Sequence, residues 1–173
     1  LKALSIKAHS KGLELATRMP LDLPHYLHGD PLRLRQVLIN LVGNAIKFTE
    51  RGEVVVEFER TLPGVTDESI DLKFTVRDTG IGIPADRLGQ VFESFIQVDT
   101  STTRQFGGTG LGLTITAELL RLMGGHVQVE SEVGVGSAFH VTVPFGLADE
   151  VVVPFAERVE FSREYLEGRT VLV

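Results

Sequence analysis

Apolar residues recur at helical spacing between Asp30 and Gly52. At about 100° per residue, Leu34, Val37, Leu38, Leu41, Ala45 and Phe48 form one arc. Asp30 suits an N-cap, Pro31 suits the first helical position and Gly52 lies just past the end, so the pattern predicts a helix over 31–48. A second periodic stretch, Leu111 to Met123, predicts another helix, and Pro84 marks the start of a third over 84–91. Alternation and β-branched content predict strands over 13–19, 54–60, 70–77, 125–131 and 138–144. This order, without an internal repeat, predicts a mixed sheet with helices on one face.

The first helix carries a second stripe beside the apolar arc. Arg33, Gln36, Asn40, Asn44 and Lys47 fall within roughly 80° of one another. A solvated face would account for it. Asparagine, however, is a poor helix former, and two stand in mid-helix, which is the kind of local conflict expected at a site. An amide oxygen can coordinate a hard cation such as Mg²⁺, and a lysine can meet phosphate as a point charge.

Two glycine-containing turns narrow the ligand class. Gly107, Gly108, Gly110 and Gly112 stand at the start of the predicted helix 111–123, where free N–H groups and the positive dipole end favour an anion. No Gly-Lys-Ser/Thr follows, and nothing after Gly112 supplies a third dinucleotide-type glycine, so neither of those phosphate loops is present. Asp78 ends the strand 70–77 and is followed by Gly80 and Gly82. An ordinary turn aspartate fits this pattern, and so does a carboxylate that accepts a hydrogen bond from an exocyclic amine such as adenine N6. Between Glu93 and Gly110 runs a long polar segment, Gln97 to Gln105, expected to be a mobile lid.

Taken in order, these segments resemble the catalytic and ATP-binding domain of sensor histidine kinases, in the wider family that includes DNA gyrase, MutL and the large heat-shock chaperone. His28 to Gln36, continuing through Asn40-Leu41-Val42-Gly43-Asn44-Ala45-Ile46-Lys47-Phe48-Thr49, is similar to the N box. Asp78-Thr79-Gly80-Ile81-Gly82-Ile83 is similar to the G1 box, Val91-Phe92-Glu93-Ser94-Phe95 to the F box and Gly107 to Leu113 to the G2 box. Ser94 departs from the proline common at its position, which bears on lid shape. The resemblance spans about residues 13–145. It implies an α+β fold of the Bergerat type: a two-layer α/β sandwich whose mixed, mostly antiparallel sheet is covered by three helices on one face.

It also implies roles for single residues. ATP and Mg²⁺ are the expected ligands. Asn44 would ligate the metal, Lys47 would contact phosphate and Asn40 would support that group. Asp78 would bond adenine N6, with Gly80, Gly82, Ile83 and Phe92 around the nucleotide. Thr109, Gly110, Leu111 and Gly112 would line the phosphates, and Arg104 would reach the γ-phosphate when the lid closes. In the ATPase branch of the family a glutamate stands at the position of Asn40 and activates water; its absence fits a kinase, with Asn40, Lys47 and Arg104 as the catalytic set.

Composition alters this little. The chain of 173 residues can bury one sizeable core. Hydrophobic content is 43%, without an apolar run long enough to span a bilayer, and no signal peptide is expected at the start. Zero cysteines exclude disulfides and thiolate metal sites, and the five histidines lack zinc-like spacing. A net charge of −6 argues against nonspecific nucleic-acid binding. The expected location is the cytoplasm, for a parent compatible with an inner-membrane anchor. The expected organisation is a helix tail or linker over 1–12, the catalytic domain over 13–147, a linker over 148–167 and, at 168–173, a segment resembling the opening strand of a receiver domain. No H-E-x-x-x-P-like acceptor is present, so the phosphate-accepting histidine is expected on a separate dimerisation domain. The isolated domain is expected to be a monomer and its parent a homodimer.

Overall fold

Asp30 caps the longest helix: its Oδ1 accepts from Leu32 N and Arg33 N, both at 3.0 Å. The structure, a computed structural model, describes residues 2–21, 23–24, 26–60, 69–92 and 111–148. Three α-helices and six strands make up the described residues: α1 Lys2–Ser10, β1 Glu14–Arg18, β2 Leu27–His28, α2 Pro31–Phe48, β3 Glu53–Arg60, β4 Ser69–Asp78, α3 Gly112–Leu122, β5 His126–Glu132 and β6 Gly136–Leu147.

The strands form one mixed sheet in the order β1-β3-β4-β6-β2, and β5 also pairs with β6. Only β1 and β3 run parallel; the remaining pairs are antiparallel. Alternation sets the two faces. Ile70, Leu72, Phe74 and Val76 of β4 join Phe139, Val141, Val143 and Phe145 of β6 in the core. Leu4 and Ala8 of α1, Val37, Leu41, Ala45 and Ile46 of α2, and Leu120 of α3 cover that face. The opposite face is polar, with ion pairs such as Arg18–Glu57 at 3.8 Å and Lys73–Glu59 at 3.7 Å.

The helix expected over 84–91 is instead a set of tighter turns. Arg87 N bonds Pro84 O and Gln90 N bonds Arg87 O, both at 2.9 Å, and only Leu88–Gln90 forms a 3₁₀ turn. The bonds span three residues, Gly89 weakens any longer helix, and Val91 and Phe92 leave the turn to pack inward. Within the stretch expected as a helix tail or linker, 1–12, Lys2–Ser10 forms α1. Strand β2 carries no pattern of its own and exists through pairing with Gly146 and Leu147. The lid, the linker beyond Ala148 and the receiver-like segment lie outside the described residues.

Candidate nucleotide site

The polar stripe of α2 lies against the start of α3. Asn40 Nδ2 donates to Gly112 O at 3.3 Å and to Thr116 Oγ1 at 3.4 Å, while Gln36 Nε2 donates to Asn40 Oδ1 at 3.1 Å. Thr116, fully buried, returns a bond from Oγ1 to Gly112 O at 2.9 Å. The amide of Asn40 is thereby occupied in holding α3 against α2. One turn on, the Asn44 side chain has no hydrogen-bond partner among the described residues, and it lies close to Gly112: a Cβ built there would sit 3.9 Å from Asn44 Nδ2. The first N–H groups of α3 receive no side-chain cap. A half-buried amide without a partner thus stands beside an uncapped helix N-terminus, an arrangement suited to phosphate and its cation.

Lys47 ends the stripe. Its Nζ lies 4.6 Å from the centre of the Phe48 ring, and among the described residues no carboxylate pairs with it. Burial lowers its pKa below the usual lysine value, and the charge of Lys7 lowers it further. A partly desolvated cation, with no counter-ion among the described residues, is suited to an anionic ligand.

Asp78 closes β4 at 7% exposure. Its Oδ1 accepts from Gly80 N at 2.8 Å. Burial raises its pKa above the usual carboxylate range, opposed by backbone hydrogen bonds from Gly80 and Ser137. The loop beyond it is clamped from two sides. Ile81 N bonds Phe48 O at 3.3 Å, linking the loop to the end of α2. Ile83 N bonds Ser131 Oγ at 2.8 Å and Gly134 N bonds Ile81 O at 2.9 Å, linking it to the β5–β6 hairpin. Thr79 ties it to β3, accepting from Glu53 N at 3.0 Å.

The glycines of this loop are required by the chain itself. A Cβ at Gly80 would collide with Phe48 O, and one at Gly82, where φ is +71°, with Glu132 O. Ile83 and Phe92 are partly buried against the core, Phe92 edge-on to Phe139 at 6.4 Å between ring centres. Of the other expected ligands, Leu111 and Gly112 stand at the start of α3, whereas Arg104, Thr109 and Gly110 lie outside the described residues. Sequence reasoning missed Ser131, Ser137 and Thr116, and it assigned no contact to Thr79 within its motif. Their contacts bridge distant segments, and no local spacing marks a serine that will catch a loop 48 residues away.

Three features stand on these elements: an amide and a cation on α2, a helix N-terminus at α3, and a buried carboxylate at the end of β4. A family model described as "Histidine kinase-, DNA gyrase B-, and HSP90-like ATPase" matches residues 29–147. Hybrid signal transduction histidine kinase A of Dictyostelium discoideum is 46% identical over 147 residues, covering 82% of this chain and 7% of that protein. Signal transduction histidine-protein kinase BarA of Escherichia coli strain K12 is 41% identical over 150 residues, covering 87% of this chain and 16% of that protein. The chain therefore spans a small part of the curated relatives it matches. Among solved structures, full-length ShkA in complex with AMPPNP superposes with a TM-score of 0.72 at 39% identity, covering 85% of this chain and 28% of that one.

Proposed function

Because the chain belongs to the histidine kinase-, DNA gyrase B-, and HSP90-like ATPase family, we propose that it is the ATP-binding catalytic domain of a hybrid sensor histidine kinase, presenting the γ-phosphate to a histidine on a separate dimerisation domain. The carrying observation is the buried Asp78, whose carboxylate faces the same loop that α2 and the β5–β6 hairpin hold in place. Asp78 accepts from adenine N6, which selects adenine over guanine because guanine offers a carbonyl at that position. Gly80, Gly82 and Ile83 form the wall of the base pocket, and Phe92 adds an apolar flank.

Asn44 would hold Mg²⁺, which would offset the charge of the phosphates. Lys47 meets the phosphates directly, and the Gly110 to Gly112 backbone lines them. Asn40 keeps α3 in register with these groups. Arg104 reaches the γ-phosphate when the segment 93–110 is held by a partner surface. Phosphoryl transfer calls for positioning and charge neutralisation more than for covalent chemistry, and these residues supply both. An amide at position 40 is not basic at neutral pH, so it does not activate water. Names of relatives that include the word hybrid support a parent with dimerisation and receiver domains. No helix among the described residues is long and apolar enough to cross a membrane. From the ATP-binding reading, and not from that absence, we assign the domain to the cytoplasmic side of its parent.

Amide chemical-shift mapping with AMPPNP and Mg²⁺ tests the assignment. Shifts should concentrate at 40–47, 78–83 and 111–112. Shifts confined to other segments, or none at saturating nucleotide, would contradict it.

A further inference from the structure

The last turn of a helix leaves carbonyls without intrahelical partners. In α2 each of them is taken. Ala45 O accepts from Thr49 N at 3.0 Å and Thr49 Oγ1 at 2.7 Å, and Phe48 O accepts from Ile81 N at 3.3 Å. The carbonyls of Ile46, Lys47 and Thr49 converge on one cation from a distant segment: Lys11 Nζ, at 2.7, 3.1 and 3.0 Å. An ammonium has three donors, and here three carbonyls receive them at the negative end of the helix dipole.

Lys11 is itself fixed. It follows α1, and its N–H bonds Ala8 O at 3.0 Å. Gly12 adopts φ +72°, which turns the chain so that Leu13 N bonds Ala8 O at 3.0 Å and Glu14 N bonds Gly52 O at 3.1 Å. Ala8, buried in the core, anchors the turn from below.

Two parts of the nucleotide site leave from the helix end that Lys11 holds. One is the side chain of Lys47. The other is Phe48 O, which binds Ile81 N and stands against Gly80, so it sets the loop next to Asp78. Lys11 lies outside the 29–147 region matched by the family model. We propose that Lys11 is a positioning residue for the nucleotide site, acting from the preceding segment through the end of α2 to place Lys47 at the phosphates and the 79–83 loop at the base. The proposal rests on the ATP-binding reading given above.

The test compares the wild-type chain with Lys11→Met, Lys11→Gln and Lys11→Arg by calorimetric titration with ATP and with adenosine, at a temperature where circular dichroism shows each variant folded. Lys11→Met should weaken ATP about tenfold and adenosine less, because the phosphate contact through Lys47 is absent from adenosine. Lys11→Arg, which keeps charge and donors, should recover ATP binding to within about threefold of wild type. A role in stability alone would lower the melting temperature and leave the ratio of ATP to adenosine affinity unchanged. A folded Lys11→Met that binds ATP within about twofold of wild type overturns the proposal. Should that variant not fold, Lys11→Gln, with two donors and no charge, decides by the same criterion. A wild type that binds no ATP overturns the nucleotide reading and this proposal together, whereas a wild type that binds beside an unaffected variant overturns this proposal alone.

Discussion

Asp78→Asn is expected to change nucleotide binding and folding in opposite directions. The carboxylate is 7% exposed, and Oδ1 receives Gly80 N at 2.8 Å. An amide that keeps the bond to Gly80 presents its NH₂ where adenine N6 also needs to donate. An amide that turns its oxygen to adenine loses the bond to Gly80. Either arrangement gives up one charge-assisted hydrogen bond in a buried place, worth about 1.5–3 kcal/mol, and so roughly 10- to 150-fold in ATP affinity. The apo fold should respond in the opposite direction. Because burial raises the pKa of Asp78 in the folded state, its favourable contribution is complete below the unfolded value of about 3.9 and is lost as pH rises through the folded value. At neutral pH the buried charge therefore disfavours folding, and its removal should leave the melting temperature of the apo protein level or higher. Calorimetry with ATP and GTP, beside thermal melts, reads both effects. Wild type should prefer ATP, and its affinity should fall on acidification at a pH above the usual carboxylate range, as Asp78 takes up a proton. A variant that keeps ATP affinity within threefold, or a wild type that binds GTP equally well, would refute the assignment of Asp78 to the base.

Asn44→Ala should weaken nucleotide binding in the presence of Mg²⁺ more than in the presence of chelator; equal losses in paired titrations would make Asn44 structural. Gly82→Ala should destabilise the fold by roughly 2–5 kcal/mol in urea denaturation, combining a left-handed backbone with a Cβ that meets Glu132 O; a loss under about 1 kcal/mol would contradict the clamped loop. Ser131→Ala should cost about 1–3 kcal/mol of stability, because Ile83 N and Gly136 O both lose their partner, and it should also weaken ATP binding by loosening the loop; unchanged affinity in a folded variant would separate the hairpin from the site.

The helix α2 was legible to its last residue because its signals are local: an N-cap with proline behind it, a clean apolar period and a stop. Strands β3, β4 and β6 were legible from alternation, although β6 extends to Leu147. The stretch 84–91 misled because Pro84 announces a start equally well for an α-helix and for a single tight turn. The sequence placed Asn40, Asn44 and Lys47 on one helix and Asp78 at a strand end because a helix period and a strand's alternation mark those positions. What Asn40 touches could not be read, since Gly112 and Thr116 lie more than seventy residues away. Lys11 was invisible for the same reason: one lysine near a glycine has no pattern, and its role exists only where α1 and α2 meet.

The central claim is that this domain delivers the γ-phosphate of ATP to a histidine carried elsewhere. It is tested most directly by incubating the chain with γ-labelled ATP and Mg²⁺, alone and together with a dimeric acceptor-histidine domain of the same parent, and then treating the products with acid. The account predicts no label on the isolated chain, slow release of phosphate, and acid-labile label on the added domain. Acid-stable label on the isolated chain, or rapid phosphate release without transfer, would contradict it.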